Sequence, residues 1–153
     1  MTPLQRLAEL GITLPVPMPP VATYVAVSIA GNLVTVSGQL PAINGKVAVT
    51  GKLGINVSLE EGQHAARLCL INVLAQLEAA LPGGLASITK IVRLGGFIAA
   101  TPEFSQHAVV MNGASDLAVA VFGDVGRHAR STIGVASLPL DAAVEVEGLF
   151  YLG

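Results

Sequence analysis

Polar and apolar positions follow two periods along this chain, two residues in some stretches and about 3.6 in others, which separates strands from helices. Residues 22–30 and 32–38 carry the strand pattern, and Gly31-Asn32 between them is a hairpin turn signal. Residues 42–57 show no period and are expected to form a loop. Ser58-Leu59-Glu60-Glu61 has the form of a capping box, and a helix is predicted from there to about Ala80. Its buried stripe is Ala66, Cys69, Leu70, Val73, Leu74 and Leu77, with Glu60, His64, Arg67 and Glu78 facing outward. Pro82-Gly83-Gly84 stops it. Residues 87–100 return to a strand pattern, with a bulge or bend expected at Gly95-Gly96. Thr101-Pro102-Glu103 predicts the start of a second helix that reaches about Phe122, with Val109, Val110, Leu117, Ala118 and Val121 as its core side. Gly113 weakens a helix by about 1 kcal/mol relative to Ala, so a late start or a kink is expected there.

The two ends of the chain complete the pattern. Thr2 can cap a short helix, Pro3 suits its first position and Gly11 can end it. Leu4, Leu7, Ala8 and Leu10 form its apolar side, and Pro15, Pro17, Pro19 and Pro20 follow as an extended connector. Residues 1–20 are therefore an N-terminal helix and Pro-rich connector, and residues 21–153 the domain. At the other end two strands flank a turn near Leu138-Pro139. Ile133 and Val135 alternate on the first, and Val144, Val146 and Phe150 on the second. The opposite faces carry Arg130, Thr132 and Gly134, and Glu145 and Glu147. Such a turn sets Arg130 across from Glu145 or Glu147. That spacing fits a structural ion pair on a half-buried sheet and a charged functional site equally. The order β-β-α-β-α-β-β predicts an α+β fold with two helices covering one face of a sheet.

Composition narrows the function classes. Only 12% of the 153 residues are charged and 52% are hydrophobic, against about 25% charged in an average soluble domain. A single copy would expose much apolar surface, which predicts a homo-oligomer. The net charge is −2, and the eight Lys and Arg are scattered, so no basic stripe tracks a phosphate backbone and no nucleic-acid partner is expected. Cys69 is the sole cysteine and falls among apolar helix positions, which predicts a core residue. The N-terminus lacks a basic region followed by an apolar run, and no apolar stretch approaches the roughly 18 residues of a membrane span. The expected compartment is the cytoplasm.

Several kinds of chemistry fail on spacing. Between Gly45 and Gly51-Lys52 there is one residue too many for a phosphate loop, and Leu53 stands where Ser or Thr must bind magnesium. His64, His107 and His128 are far apart and Cys69 has no second cysteine, so no metal site and no cofactor are expected. Ser131 lies beside Arg130 without an obvious base, since His128 falls on the opposite face of the strand. A carboxylate site fits better. The guanidinium of Arg130 presents a planar fork that grips a carboxylate through two hydrogen bonds, and a nearby Glu can orient a water.

Ala129-Arg130-Ser131, then Leu138-Pro139, then Val144-Glu145-Val146-Glu147 resembles the C-terminal signature of the RidA/YjgF family of imine deaminases, also labelled L-PSP endoribonucleases. Ser37-Gly38-Gln39-Leu40-Pro41, Asn112 and Tyr24 match further family positions, and the resemblance covers about residues 20–152. It implies a chorismate-mutase-like sheet with two helices, a homotrimer, and clefts between subunits. The implied reaction is hydrolysis of 2-imino acids, the tautomers of enamines such as 2-aminoacrylate, to 2-oxo acids and ammonia. In it Arg130 would clamp the carboxylate of a small ligand and Glu145 would hold the attacking water. Tyr24, Ser37, Gly38, Asn112 and the Thr132 backbone would line the cleft, and Glu147 would be structural. The sequence departs from the pattern at Thr132, where many members have Cys, and at Gly134, where active deaminases commonly have Glu. Two other readings stay open: a non-catalytic trimer that binds small carboxylates or keto acids, and a ribonuclease or translation inhibitor, which the scattered basic residues disfavour.

Overall fold

A computed structural model of the chain describes residues 1–20 and 22–153; the predicted boundary residue Val21 lies outside the described residues. The elements in chain order are α1 (Pro3–Glu9), β1 (Val27–Ala30), β2 (Leu33–Gln39), β3 (Ala42–Ile43), β4 (Lys46–Val47), α2 (Leu59–Ala80), β5 (Lys90–Ala99), α3 (His107–Phe122), β6 (Ala129–Val135) and β7 (Val144–Tyr151). Five strands form one sheet in the order β1-β2-β7-β5-β6, and within it only β5 and β6 pair in parallel. α2 and α3 pack together on one face, giving the predicted α+β architecture.

Local chemistry accounts for the helices. Ser58 and Glu61 cap α2 reciprocally, each side chain meeting the other's backbone N–H at 3.1 Å. All six predicted stripe residues of α2 are fully buried. Glu78 is the exception to its polar face: its carboxylate accepts a hydrogen bond from the Leu85 N–H at 2.7 Å and so anchors the turn that follows the helix. Thr2 and Gln5 cap α1 in the same reciprocal way, and Leu7 of α1 is buried where the helix meets α3.

Several local expectations need correction. The N–H of Thr101 and the carbonyl of Ala99 are both bonded to Leu53, so the backbone around Thr101 cannot open a helix, and α3 begins at His107. α3 is continuous through Gly113, because a Cβ there would collide with the Gln63 carbonyl oxygen of α2. The glycine permits helix contact rather than a kink. The register shift in β5 lies between Ile91 and Arg93, while Gly95 and Gly96 keep the alternation. Residues 42–47 form the small β3–β4 hairpin around Asn44-Gly45, both at positive φ, an Asn-Gly turn signal overlooked in a stretch expected to be loop.

The closing strands carry the largest difference. β6 and β7 do not pair: β5 lies between them. Val144, Val146 and Phe150 are buried as predicted, which turns Glu145 and Glu147 to the open face of the sheet. Ile133 is 52% exposed and also lies on that open face, opposite to expectation. Register fixes this, since Arg130 aligns with buried Leu94 and Ile133 with Phe97, which in turn aligns with Glu145. α3 with its following turn is long and apolar enough by length and composition to cross a membrane. Its Val110, Met111, Ala114, Leu117, Ala118 and Val121 are nonetheless buried in the core of this fold.

Helix propensity and packing predict opposite signs at Gly113. Propensity favours Ala by about 1 kcal/mol; the contact with Gln63 opposes it. Gly113→Ala is expected to destabilise the chain by about 2 kcal/mol, read as a lower urea midpoint with unchanged slope. A stabilised variant would show that the two helices yield.

Candidate functional site

Arg130 lies on β6, the edge strand, with its side chain on the helix-bearing face. An edge strand beyond the centre of the core can direct a charged side chain toward a helix without burying it fully. The guanidinium meets α3 at two points, Nη1 donating to Ser115 Oγ at 3.0 Å and Nη2 to the Ala108 carbonyl at 3.2 Å. Ser115 Oγ is 2.8 Å from His128 Nε2, and His128 Nδ1 is 2.7 Å from the Gly126 carbonyl. Burial pushes the His128 imidazole below its ordinary value; the Gly126 bond opposes this, and the charges of Arg130 and Lys90 add to it. Asn112, Ser115 and Asp116 of α3 face Arg127, His128 and Arg130 across a shallow groove of about 270 Å³. Thr132 shares the face of Arg130, and its hydroxyl is buried with no hydrogen-bond partner among the described residues.

A second cluster forms on the other side of the molecule's sheet order, around β2 and β7. Ser37 Oγ donates to the Val25 carbonyl at 2.8 Å and ties the approach to β1 onto β2. The register between β2 and β7 shifts between Val36 and Gln39, a bulge that contains Ser37 and Gly38. A Cβ on Gly38 would collide with the Glu145 carboxylate. The glycine therefore makes room for that carboxylate. Burial raises the Glu145 carboxyl above the ordinary range, and the charge of Glu147 on the same face adds to it. Tyr24 is half exposed and lines a small apolar cavity of about 140 Å³ with Gly38, Met18 and Leu140. The connector is held there by Gln76, whose side-chain amide donates to the Met18 carbonyl at 2.7 Å.

The predicted site residues thus fall into two groups. Arg130, Asn112 and Thr132 lie along β6 and α3; Tyr24, Ser37, Gly38 and Glu145 lie around β2 and β7. Within one chain Arg130 and Glu145 point to opposite faces of the sheet and do not meet. The predicted juxtaposition failed because it assumed a β6–β7 hairpin, whereas β5 separates the strands. Among the described residues the one salt bridge is Arg127–Asp124, on the surface, so Arg130 has no carboxylate partner there. Sequence reasoning missed Ser115 and His128 as neighbours of Arg130. The signal was present: His128 precedes Arg130 by two residues at the entry to β6, and Ser115 is three from Asn112 on a helix. Cys69 is buried, donates to the Val144 carbonyl at 3.4 Å, and has its thiol pushed up by burial, as suits a core residue.

A family model described as "YjgF/chorismate_mutase-like, putative endoribonuclease" matches residues 4–151. Protein TCP17 of Trypanosoma cruzi is 46% identical over 148 residues, covering 96% of this chain and 92% of its own. The crystal structure of Atu1372 from Agrobacterium tumefaciens, a protein of unknown function, is similar at 47% identity and a TM-score of 0.91, over 99% of this chain and 92% of that one. A Shewanella oneidensis structure described as a putative endoribonuclease is similar at 35% identity and a TM-score of 0.96, over 99% of this chain and all of that one (100%).

The raised Glu145 carboxyl has a consequence for stability. A group of this kind holds its proton more tightly when folded; the stability this contributes is complete below the unfolded value and is lost as pH rises through the folded value. Glu145→Gln removes the cost of the charge. It is expected to melt about 1–3 °C above the natural chain near pH 8 and at the same temperature near pH 3.5, by differential scanning calorimetry at both pH values.

Proposed function

Because this chain belongs to the YjgF/chorismate mutase-like family, we propose that it hydrolyses 2-imino acids to 2-oxo acids and ammonia in clefts between the copies of a homotrimer. The observation that carries this reading is the state of Arg130: aimed by two hydrogen bonds, it opens on a groove with Asn112 and has no carboxylate partner among the described residues. Such a guanidinium suits a ligand carboxylate. The orphan Thr132 hydroxyl beside it supports a polar ligand contact, since an unpaired buried hydroxyl costs about 1–3 kcal/mol.

The separation of the two groups supports a cleft between copies. Arg130, Asn112 and Thr132 of one copy form one wall, and Tyr24, Ser37, Gly38 and Glu145 of a neighbour form the other. The open sheet face, with Leu33, Ile133 and Tyr151 exposed, supplies apolar surface for such an assembly. In the reaction, Arg130 holds the substrate carboxylate and the Glu145 carboxylate accepts a proton from a water. The water oxygen bonds to C2 as the carbon–nitrogen double bond becomes single, and the proton passes from Glu145 to the nitrogen. The remaining O–H proton then follows to the nitrogen through Glu145 as the carbonyl forms, the carbon–nitrogen single bond breaks and ammonia leaves. A carboxyl whose proton affinity is raised by burial is better suited to taking up and returning that proton.

The test generates 2-iminopropanoate in situ with an amino-acid oxidase and follows its disappearance. The natural protein should accelerate hydrolysis, and Arg130→Ala and Glu145→Gln should each lower the rate at least about 100-fold. Co-refolding the two inactive variants in equal amounts should restore roughly a quarter of the sites, because each intact cleft takes Arg130 from one copy and Glu145 from another. No recovery in the mixture would sink the shared cleft. Carboxylate binding without acceleration would favour the second reading, a trimer that binds keto acids without turning imines over.

A further inference from the structure

We propose that Ser115 and His128 form a one-directional hydrogen-bond relay that aims Arg130, which makes them positioning residues for the carboxylate contact. The inference rests on the reading of Arg130 given above. A backbone carbonyl only accepts, so the 2.7 Å contact to Gly126 places the proton of His128 on Nδ1. In the uncharged ring Nε2 is then an acceptor, and Ser115 Oγ at 2.8 Å must donate to it. That commits the single hydroxyl hydrogen of Ser115 and leaves its lone pairs to Arg130, whose Nη1 donates at 3.0 Å. Donation therefore runs from Arg130 to Ser115, from Ser115 to His128, and from His128 to Gly126. A hydroxyl that donates becomes a better acceptor, so each bond in such a chain strengthens its neighbours.

The far end of the relay is fixed. Gly126 is buried in the turn Gly123–Gly126, where a Cβ would collide with the Ala118 carbonyl of α3. Both ends of the relay are thus tied to the same helix, and the Ala108 carbonyl holds the second arm of the guanidinium. Burial, against the Gly126 bond and with the charges of Arg130 and Lys90, lowers the proton affinity of the ring, which favours the form that can accept from Ser115. A Ser–His contact of this length would also suit a nucleophile. Here the serine oxygen already receives the guanidinium, which turns the pair toward holding Arg130.

Two measurements test this. In the natural homo-oligomer without ligand, the ¹⁵N NMR spectrum of the His128 ring should show a protonated Nδ1 and an unprotonated Nε2 at pH 7.5; the other tautomer overturns the relay. Binding of pyruvate, followed by calorimetry, should weaken about 5- to 20-fold in Ser115→Ala and in His128→Leu. It should return to within about 3-fold of natural affinity in Ser115→Thr, which keeps the hydroxyl, and in His128→Gln, which keeps an acceptor. Arg130→Ala should abolish it. Natural affinity in Ser115→Ala and His128→Leu, with binding lost in Arg130→Ala, overturns the relay and leaves Arg130 as the anchor. Natural affinity in Arg130→Ala overturns both.

Discussion

Burial of one side of β7 beneath α2 is the constraint from which the rest of this structure follows. Val144, Val146 and Phe150 are fully buried, and β7 is the central strand, flanked by β2 and β5. β7 alternates its side chains regularly, so this burial turns Glu145 and Glu147 to the face opposite the helices. The neighbouring strands inherit the decision through register. β5 aligns Leu94 and Ile98 with the buried face, β6 aligns Arg130 and Thr132 with Leu94 and Gly96, and the acidic and basic members of the candidate site part to opposite faces.

The helices then decide what the basic group can do. α3 approaches α2 closely at Gly113, which brings its small polar residues over the edge strand β6. Ser115 and the Ala108 carbonyl meet Arg130 there, and the turn before β6 brings His128 and Gly126 into the same network. On the other side a bulge at Ser37 and Gly38 leaves space that the Glu145 carboxylate fills. A carboxylate packed over a glycine loses water, which is why its proton affinity rises. Each half of the site is thus built by a close approach that a larger residue would forbid.

The low charge of the chain acquires a location in this arrangement. Part of the apolar surface lies on the uncovered sheet face, where Leu33, Ile133 and Tyr151 are exposed beside Glu145 and Glu147. One face buried by helices and one left apolar describes a chain whose second face needs a partner. The trimer we propose would give it one, and the same contact would close the distance between the two halves of the site.

The local elements could be read directly from the chain. Capping boxes at Thr2 and Ser58, the α2 stripe, the Gly31-Asn32 turn and the alternation of β7 all depend on neighbours within a few residues. The family was legible there too, because the motifs around Ser37, Asn112, Arg130 and Glu145 are contiguous signals. Which strands are neighbours became visible only in the folded chain. A turn between β6 and β7 looks the same whether they pair or whether β5 is inserted between them, since the pairing energy comes from residues some forty positions away. That insertion reversed the exposed and buried faces of β6, moved Arg130 from Glu145 to Ser115, and divided the candidate site in two.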